Sequence, residues 1–138
     1  MTLTAPRRIH RLERLTYFSR NLMPGPRWRV AEQLRALLDG ARIRNAHLGI
    51  TGALMLHDGC FAQVLEGDRE ELSSLFASIS ADPRHCNVTL LQRGPITERA
   101  FMDFGMRHIE TDETMPPPGV IAVENLFLRL ATEAHGGG

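Results

Sequence analysis

Tyr17 and Gln63 each carry a side chain that can exchange protons or hydrogen bonds. Both are predicted to lie inside the core. Gln63 shares one face of an alternating stretch with Phe61 and Leu65, because successive side chains of a strand point to opposite sides. A buried carboxamide needs partners for its donors and its oxygen, or costs about 1–3 kcal/mol per unsatisfied group. We therefore expect a polar group opposite Gln63. Glu66 falls on the other face, where we interpret it as a capping or packing residue near the second helix.

Other kinds of chemistry find little support in the sequence. The six histidines are too dispersed for metal-ligand spacing, and Cys60 and Cys86 form no CxxC pair. No glycine-rich phosphate loop appears. Because 16 basic residues balance 16 acidic ones, no overall field favours nucleic acid or an acidic membrane. Without a signal peptide or a membrane-spanning apolar stretch, we expect a cytoplasmic protein with reduced thiols.

The length of 138 residues, 43% of them hydrophobic, predicts one domain with short tails. We expect a flexible arm over residues 1–10 and the folded domain over residues 11–110. Residues 111–138 are expected to hold a linker, a C-terminal helix over residues 120–134 and a disordered glycine tail. A broad apolar face on that helix suggests a lid over the sheet or a dimer contact.

Periodicity predicts the elements that position Tyr17 and Gln63. Apolar residues at helical spacing predict a first helix, which Asn45 would end, and Asp68 is expected to cap a second helix. His57, Asp58 and Gly59 suit a tight turn between two strands. The predicted strands cover residues 12–18, 49–55, 60–65, 88–91 and 104–109, and the predicted helices cover residues 27–44 and 69–81.

This order predicts an α+β fold, the ferredoxin-like βαββαβ arrangement with an added fifth strand. Short right-handed crossovers place both internal helices on one face of a single sheet. The opposite face is left for the C-terminal helix.

Five separated motifs, in this order, resemble the BLUF family, the blue-light sensors that use FAD. The resemblance runs from about residue 12 to residue 107. The motifs are residues 15–20 (LTYFSR), Asn45 with residues 49–54 (GITGAL), residues 61–67 (FAQVLEG), residues 82–85 (DPRH) and residues 101–106 (FMDFGM).

The resemblance implies a noncovalently bound FAD whose ring lies between the two internal helices. It implies that Tyr17 donates an electron and a proton, that Gln63 relays between Tyr17 and the flavin, and that Met106 passes the signal on. Asn45 would bind the C4 carbonyl edge of the flavin, and Arg84 with Arg44 would serve its C2 side. The other implied binding residues are Leu37, Leu38, Leu54, Phe61, Ile79 and His85.

Two positions depart from the family pattern, which often has serine at Ala41 and tryptophan at Phe104. A hydrogen bond near the flavin and an indole partner of Gln63 are therefore missing. We expect a short, stand-alone photoreceptor without enzyme activity, a homodimer that signals to a separate protein. The alternatives are an anion-binding enzyme such as a phosphatase using Arg84 and Asn45, a flavin-thiol sensor using Cys60, and a photochemically silent binding module.

Overall fold

The computed structural model describes residues 11–57, 59–101 and 105–109, with the side chains of residues 57 and 109 left aside. The predictions for the arm, Asp58, Phe104, the C-terminal helix and the glycine tail lie outside these residues. The described elements are β1 (Leu12–Asn21), α1 (Arg27–Leu48), β2 (Thr51–His57), β3 (Cys60–Asp68), α2 (Arg69–Ser80), β4 (His85–Pro95) and β5 (Arg107–Ile109).

The five strands form one sheet in the order β4-β1-β3-β2-β5. Neighbouring strands are antiparallel except β2 and β5, which are parallel. The register places Tyr17 of β1 opposite Gln63 of β3, and Gln63 opposite Leu54 of β2. These three side chains therefore form a row across the centre of the sheet. The predicted α+β ferredoxin-like architecture is confirmed.

Each face of the sheet has its own apolar cluster, as the strand alternation predicted. Phe61 and Leu65 pack in the cluster that includes buried residues of α1 and α2. Ala62 and Val64 point to the opposite face, where they pack with Phe101. Both helices thus cover the face that carries Tyr17 and Gln63.

The first helix ends later than predicted. It continues to Leu48 and stops at Gly49, which takes a left-handed conformation with φ 66° and donates its N–H to the Asn45 carbonyl. Glycine adopts this conformation without a Cβ penalty, so Gly49 and not Asn45 terminates the helix. The predicted start of α2 is confirmed, since the Asp68 side chain accepts a hydrogen bond from Glu70 N at 3.1 Å.

Strand lengths were predicted less well than strand positions. β1, β3 and β4 extend beyond the apolar runs because backbone pairing with neighbours continues through polar residues. β2 begins at Thr51, and β5 covers only Arg107–Ile109. The predicted hairpin is present, and Gly59 supplies the expected positive φ, at 77°.

Candidate functional site

Tyr17 and Gln63 are directly hydrogen-bonded inside the core. The Tyr17 hydroxyl donates to Gln63 Oε1, and the two residues are 3% and 4% exposed. The polar partner expected opposite Gln63 is therefore Tyr17. Burial raises the pKa of the Tyr17 phenol well above its ordinary value, although the Arg44 guanidinium lowers it in part. The phenol consequently stays protonated and remains a hydrogen-bond donor.

The other end of the Gln63 carboxamide points to Met106, just before β5. Gln63 Nε2 lies 3.4 Å from Met106 Sδ, and Met106 is 2% exposed. A thioether sulfur is a weak acceptor, so this contact is weaker than the bond to Tyr17. Gln63 therefore joins a strong donor on β1 to a weak acceptor beside β5.

A cavity of about 300 Å³ opens between the helices and the sheet beside this pair. Of the residues singled out from the sequence, nine line it, and these include Tyr17 and Gln63. Leu38, Asn45 and Met106 do not. The nine are Tyr17, Leu37, Arg44, Leu54, Phe61, Gln63, Ile79, Arg84 and His85.

Four further residues line the cavity: Ala36, Gly40, Ala41 and Asp82. The family pattern had already indicated Ala41 as a position near the flavin, and Asp82 belongs to the 82–85 motif, whereas Ala36 and Gly40 carry no predicted role. Gly40 lies in the interior of α1, where glycine costs about 1 kcal/mol relative to alanine. A Cβ added to Gly40 would meet nothing within 4 Å, so this part of the helix leaves open space. An interior glycine on a helix was the signal that could have identified this side of the cavity.

Asn45 is not among the residues that line the cavity, and it is fully buried. Its Nδ2 donates to the Gly105 carbonyl at 2.7 Å, and its Oδ1 accepts from Arg44 Nε at 3.2 Å. Both ends of the carboxamide are thus engaged within the protein. Asn45 links α1 to the segment before β5 in this arrangement.

Charged groups lie at one end of the cavity. Arg84 donates to both carboxylate oxygens of Asp82, with Nε 3.0 Å from each. These bonds hold the pKa of Asp82 below its usual value and raise that of Arg84. Burial lowers the pKa of the half-buried Arg44. Asp82 therefore pairs with Arg84, the residue on which the anion-binding alternative depends, while Arg44 remains as a second cation of the cavity.

His85 connects the end of α2 to β1. Its Nδ1 lies 2.7 Å from Ser19 Oγ and its Nε2 lies 2.6 Å from the Ile79 carbonyl. Because a carbonyl oxygen can only accept, Nε2 donates to Ile79, and Nδ1 shares a hydrogen bond with the Ser19 hydroxyl. The ring stands edge-on to Tyr17, with centroids 6.2 Å apart.

Glu66 has a different role from the one expected near the second helix. Its carboxylate is fully buried on the opposite face of the sheet. It accepts from Arg14, from Thr51 Oγ1 and from the backbone N–H groups of Ala100 and Phe101. Glu66 therefore anchors the chain that leads from β4 towards β5.

Cys60 falls on the face away from the cavity, since it alternates with the cavity residue Phe61 and pairs with Arg20. A flavin-thiol bond in this cavity is thus not supported by the geometry. Within residues 11–57, 59–101 and 105–109, no group of three or more candidate metal ligands occurs. No helix in the same ranges is long and apolar enough to cross a membrane.

Comparison with known proteins identifies a family to which this chain is similar. The family model described as BLUF, sensors of blue-light using FAD, matches residues 12–107. The photoactivated adenylate cyclase subunit beta of Euglena gracilis is 41% identical over 123 residues, which cover 87% of this chain and 13% of that protein. The alpha subunit of the same organism is 36% identical over 120 residues, covering 87% of this chain and 11% of the relative. The chain thus spans only about an eighth of these relatives.

Solved structures show the same likeness. The dark-state structure of BlrB, a BLUF protein, has a TM-score of 0.76 and 34% identity, covering 91% of this chain and 98% of BlrB. BlrP1 of Klebsiella pneumoniae, solved with FMN and cyclic diGMP, has a TM-score of 0.66 and 32% identity, covering 92% of this chain and 35% of BlrP1.

Proposed function

Because the chain belongs to the BLUF family of blue-light sensors using FAD, we propose that Tyr17, Gln63 and Met106 form its light-sensitive switch. The chain is a flavin-binding blue-light photoreceptor, and the family domain is a sensor. We further propose that this chain has no catalytic turnover of its own and reports light through changed hydrogen bonds.

The cavity suits the flat ring of a flavin. Leu37 of α1, Ile79 of α2 and Phe61 of the sheet supply apolar walls, while the Gln63 carboxamide and the charged groups supply polar contacts. A volume of about 300 Å³ is at the lower end of small-molecule sites. The ring would therefore fit inside, and we propose that the remainder of the cofactor would extend towards solvent.

We propose FAD over FMN as the cofactor. Its binding residues are those named from the sequence that line the cavity, with Asn45 and Leu38 supporting them from behind. The family description supports FAD, whereas BlrP1 was solved with FMN. Mass spectrometry of the released cofactor distinguishes the two, and recovery of FMN alone would contradict the proposal.

The bound flavin supplies absorption of blue light and an excited state that accepts an electron. Tyr17 holds its phenolic proton against Gln63 Oε1, which is the one partner that its hydroxyl has among the described contacts. Loss of an electron makes a phenol strongly acidic, so the Tyr17 proton would pass along this bond to Gln63 Oε1, and the carboxamide would pass one of its Nε2 protons to the reduced cofactor. Both the electron and the proton return to Tyr17, and only the orientation of the Gln63 amide differs afterwards.

Gln63 is suited to this change because its amide can exchange donor and acceptor ends in nearly the same volume. In this structure Nε2 faces the Met106 sulfur, a weak acceptor, so reversal of the amide loses little hydrogen-bond energy on that side. We propose that this arrangement is the dark state. Hydrogen bonds are worth about 1 kcal/mol each, so two orientations can be close in free energy. A small light-driven bias then shifts the population of β5 conformations.

We propose that the output is a contact with a separate protein, made by a homodimer. In BLUF relatives described as adenylate cyclase subunits, the matched region is a small part of a longer protein. The free thiols of Cys60 and Cys86 are compatible with a cytoplasmic location, which we also propose.

The buried Tyr17–Gln63 hydrogen bond is the observation that carries the switch proposal. The test is the visible absorption spectrum of the purified protein in the dark and after blue light, for wild type, Tyr17→Phe and Gln63→Leu. We expect a flavin spectrum in all three and a reversible small red shift in wild type alone. A shift that persists in Gln63→Leu would refute the role of Gln63.

The alternatives give different results in the same samples. Bleaching of the flavin band, instead of a shift, would indicate the flavin-thiol sensor. A protein that cannot be loaded with flavin and hydrolyses phosphate esters would indicate the enzyme. A loaded protein that does not respond to light would be the silent module.

A further inference from the structure

Side chains of α1 hold the segment that places Met106 beside Gln63. β5 has three residues and pairs with β2 in parallel at the edge of the sheet, so the strand itself contributes few hydrogen bonds. Two side chains of α1 bind the backbone just before it. Asn45 Nδ2 donates to the Gly105 carbonyl at 2.7 Å, and Arg42 Nε donates to the Met106 carbonyl at 3.0 Å.

The backbone at Gly105 lies close to α1. A Cβ added at Gly105 would lie 3.5 Å from the Arg42 carbonyl oxygen and 3.7 Å from its Cα, which is van der Waals contact. The backbone of residues 105 and 106 therefore lies directly on α1. The Met106 side chain then projects to Gln63, with 3.4 Å between Sδ and Nε2.

Arg42 differs from Asn45 in its exposure. Asn45 is fully buried, whereas the Arg42 side chain is 46% exposed and also lies 3.7 Å from the exposed carboxylate of Asp39. The Arg42 guanidinium is thus partly exposed to solvent and donates a hydrogen bond to the backbone carbonyl of the buried Met106. Substitution of Arg42 leaves the apolar core intact, so its effect on the switch can be measured in a folded protein.

We propose that Arg42 is a positioning residue that sets Met106 against Gln63 through the Met106 carbonyl. The proposal rests on the proposed switch, in which Met106 is the second partner of Gln63. Loss of the Arg42 bond lets residues 105–109 move away from α1. The Gln63 amide then loses its dark-state acceptor, and the relative stability of its two orientations changes.

The test compares Arg42→Met, which keeps the aliphatic length and removes the donor, with Arg42→Lys, which keeps a donor and the charge. Both are measured as flavin-loaded full-length protein. We expect Arg42→Met to load flavin normally and to change the dark-recovery rate by about five-fold, the effect of one hydrogen bond. Amide hydrogen exchange over Arg107–Ile109 in darkness should rise by a similar factor. Arg42→Lys should restore part of both.

Two further variants separate positioning from a general effect of charge. Asp39→Asn removes the ion pair and leaves the Met106 bond, so both readouts should remain those of wild type. In a Met106→Ala background, Arg42→Met should no longer change the recovery rate, because the side chain that it positions is absent. Wild-type recovery and exchange in Arg42→Met, or an undiminished effect in the Met106→Ala background, would overturn the proposal.

Failure of the proposed switch gives a different result. If wild type shows no light-induced shift, the roles of Tyr17 and Gln63 are refuted. The exchange of Arg107–Ile109 in darkness still reports whether Arg42 holds this segment. Unchanged exchange in Arg42→Met would refute the positioning role independently.

Discussion

Replacing Glu66 by glutamine tests how the chain that approaches β5 is anchored. Glu66 Oε2 accepts from Arg14 Nε at 3.1 Å, from Arg14 Nη2 at 2.9 Å and from Ala100 N at 2.7 Å. Oε1 accepts from Thr51 Oγ1 at 3.1 Å and from Phe101 N at 2.9 Å. All these partners donate, so a carboxylate satisfies them and an amide, with one oxygen, cannot.

The loss of stability in Glu66→Gln is set by the more favourable of the two orientations that the new amide can take. With the oxygen at the Oε2 position, the new NH₂ group faces the N–H of Phe101, which is 1% exposed. An unsatisfied buried donor costs about 1–3 kcal/mol. Arg14, 23% exposed, loses a charged partner and keeps a neutral one, at a cost of about 1 kcal/mol. We therefore expect Glu66→Gln to lower the free energy of unfolding by about 3 kcal/mol.

Urea denaturation followed by circular dichroism measures this loss as a lower midpoint at an unchanged slope. Glu98→Gln is the matched control, since Glu98 is an exposed glutamate close to the anchored segment. Its effect should stay within about 0.5 kcal/mol. A Glu66→Gln loss no larger than that of the control would refute the reasoning that this carboxylate anchors Ala100 and Phe101.

Three other perturbations have defined outcomes. Because folding raises the pKa of Tyr17, the unfolded chain loses the phenolic proton first, and the free energy of unfolding should fall above about pH 10. Urea midpoints measured against pH should show this fall in wild type and a flatter profile in Tyr17→Phe. An equal fall in Tyr17→Phe would contradict burial of the phenol. Gly40→Phe should reduce flavin occupancy of the purified protein by placing a ring at the cavity. Gly40→Ala should retain flavin and raise the free energy of unfolding by about 1 kcal/mol. Equal flavin occupancy in the two variants would show that the flavin does not bind at this side of the cavity. In Gly52→Ala the new Cβ would lie 2.0 Å from the Val64 carbonyl oxygen, and the clash should lower the free energy of unfolding by about 3 kcal/mol. In Gly94→Ala the new Cβ would meet nothing within 4 Å, so thermal unfolding should be nearly that of wild type. Similar unfolding of the two variants would contradict the close β2–β3 packing.

Local rules predicted the elements whose signals lie in neighbouring residues. Asp68 begins α2 because its side chain accepts a hydrogen bond from the Glu70 backbone N–H, and Gly59 permits the hairpin turn. Alternation along β3 correctly separated Phe61 from Ala62. Element ends were missed at Asn45 and Asn21, where backbone pairing or a downstream glycine outweighed the local preference.

The sequence by itself determined the order of elements, the α+β class and the family, because periodicity, turn residues and ordered motifs are local patterns that can be recognised without the tertiary structure. It also indicated that Gln63 needs a polar partner. Only the tertiary structure decided that this partner is Tyr17, since register depends on pairing across the sheet. Likewise, Glu66 and Arg42 acquire their roles from backbone groups far along the chain, at Phe101 and Met106. Hydrogen bonds from a side chain to a backbone group far along the chain leave no signature in residue types, and so these two roles could not be predicted from the sequence.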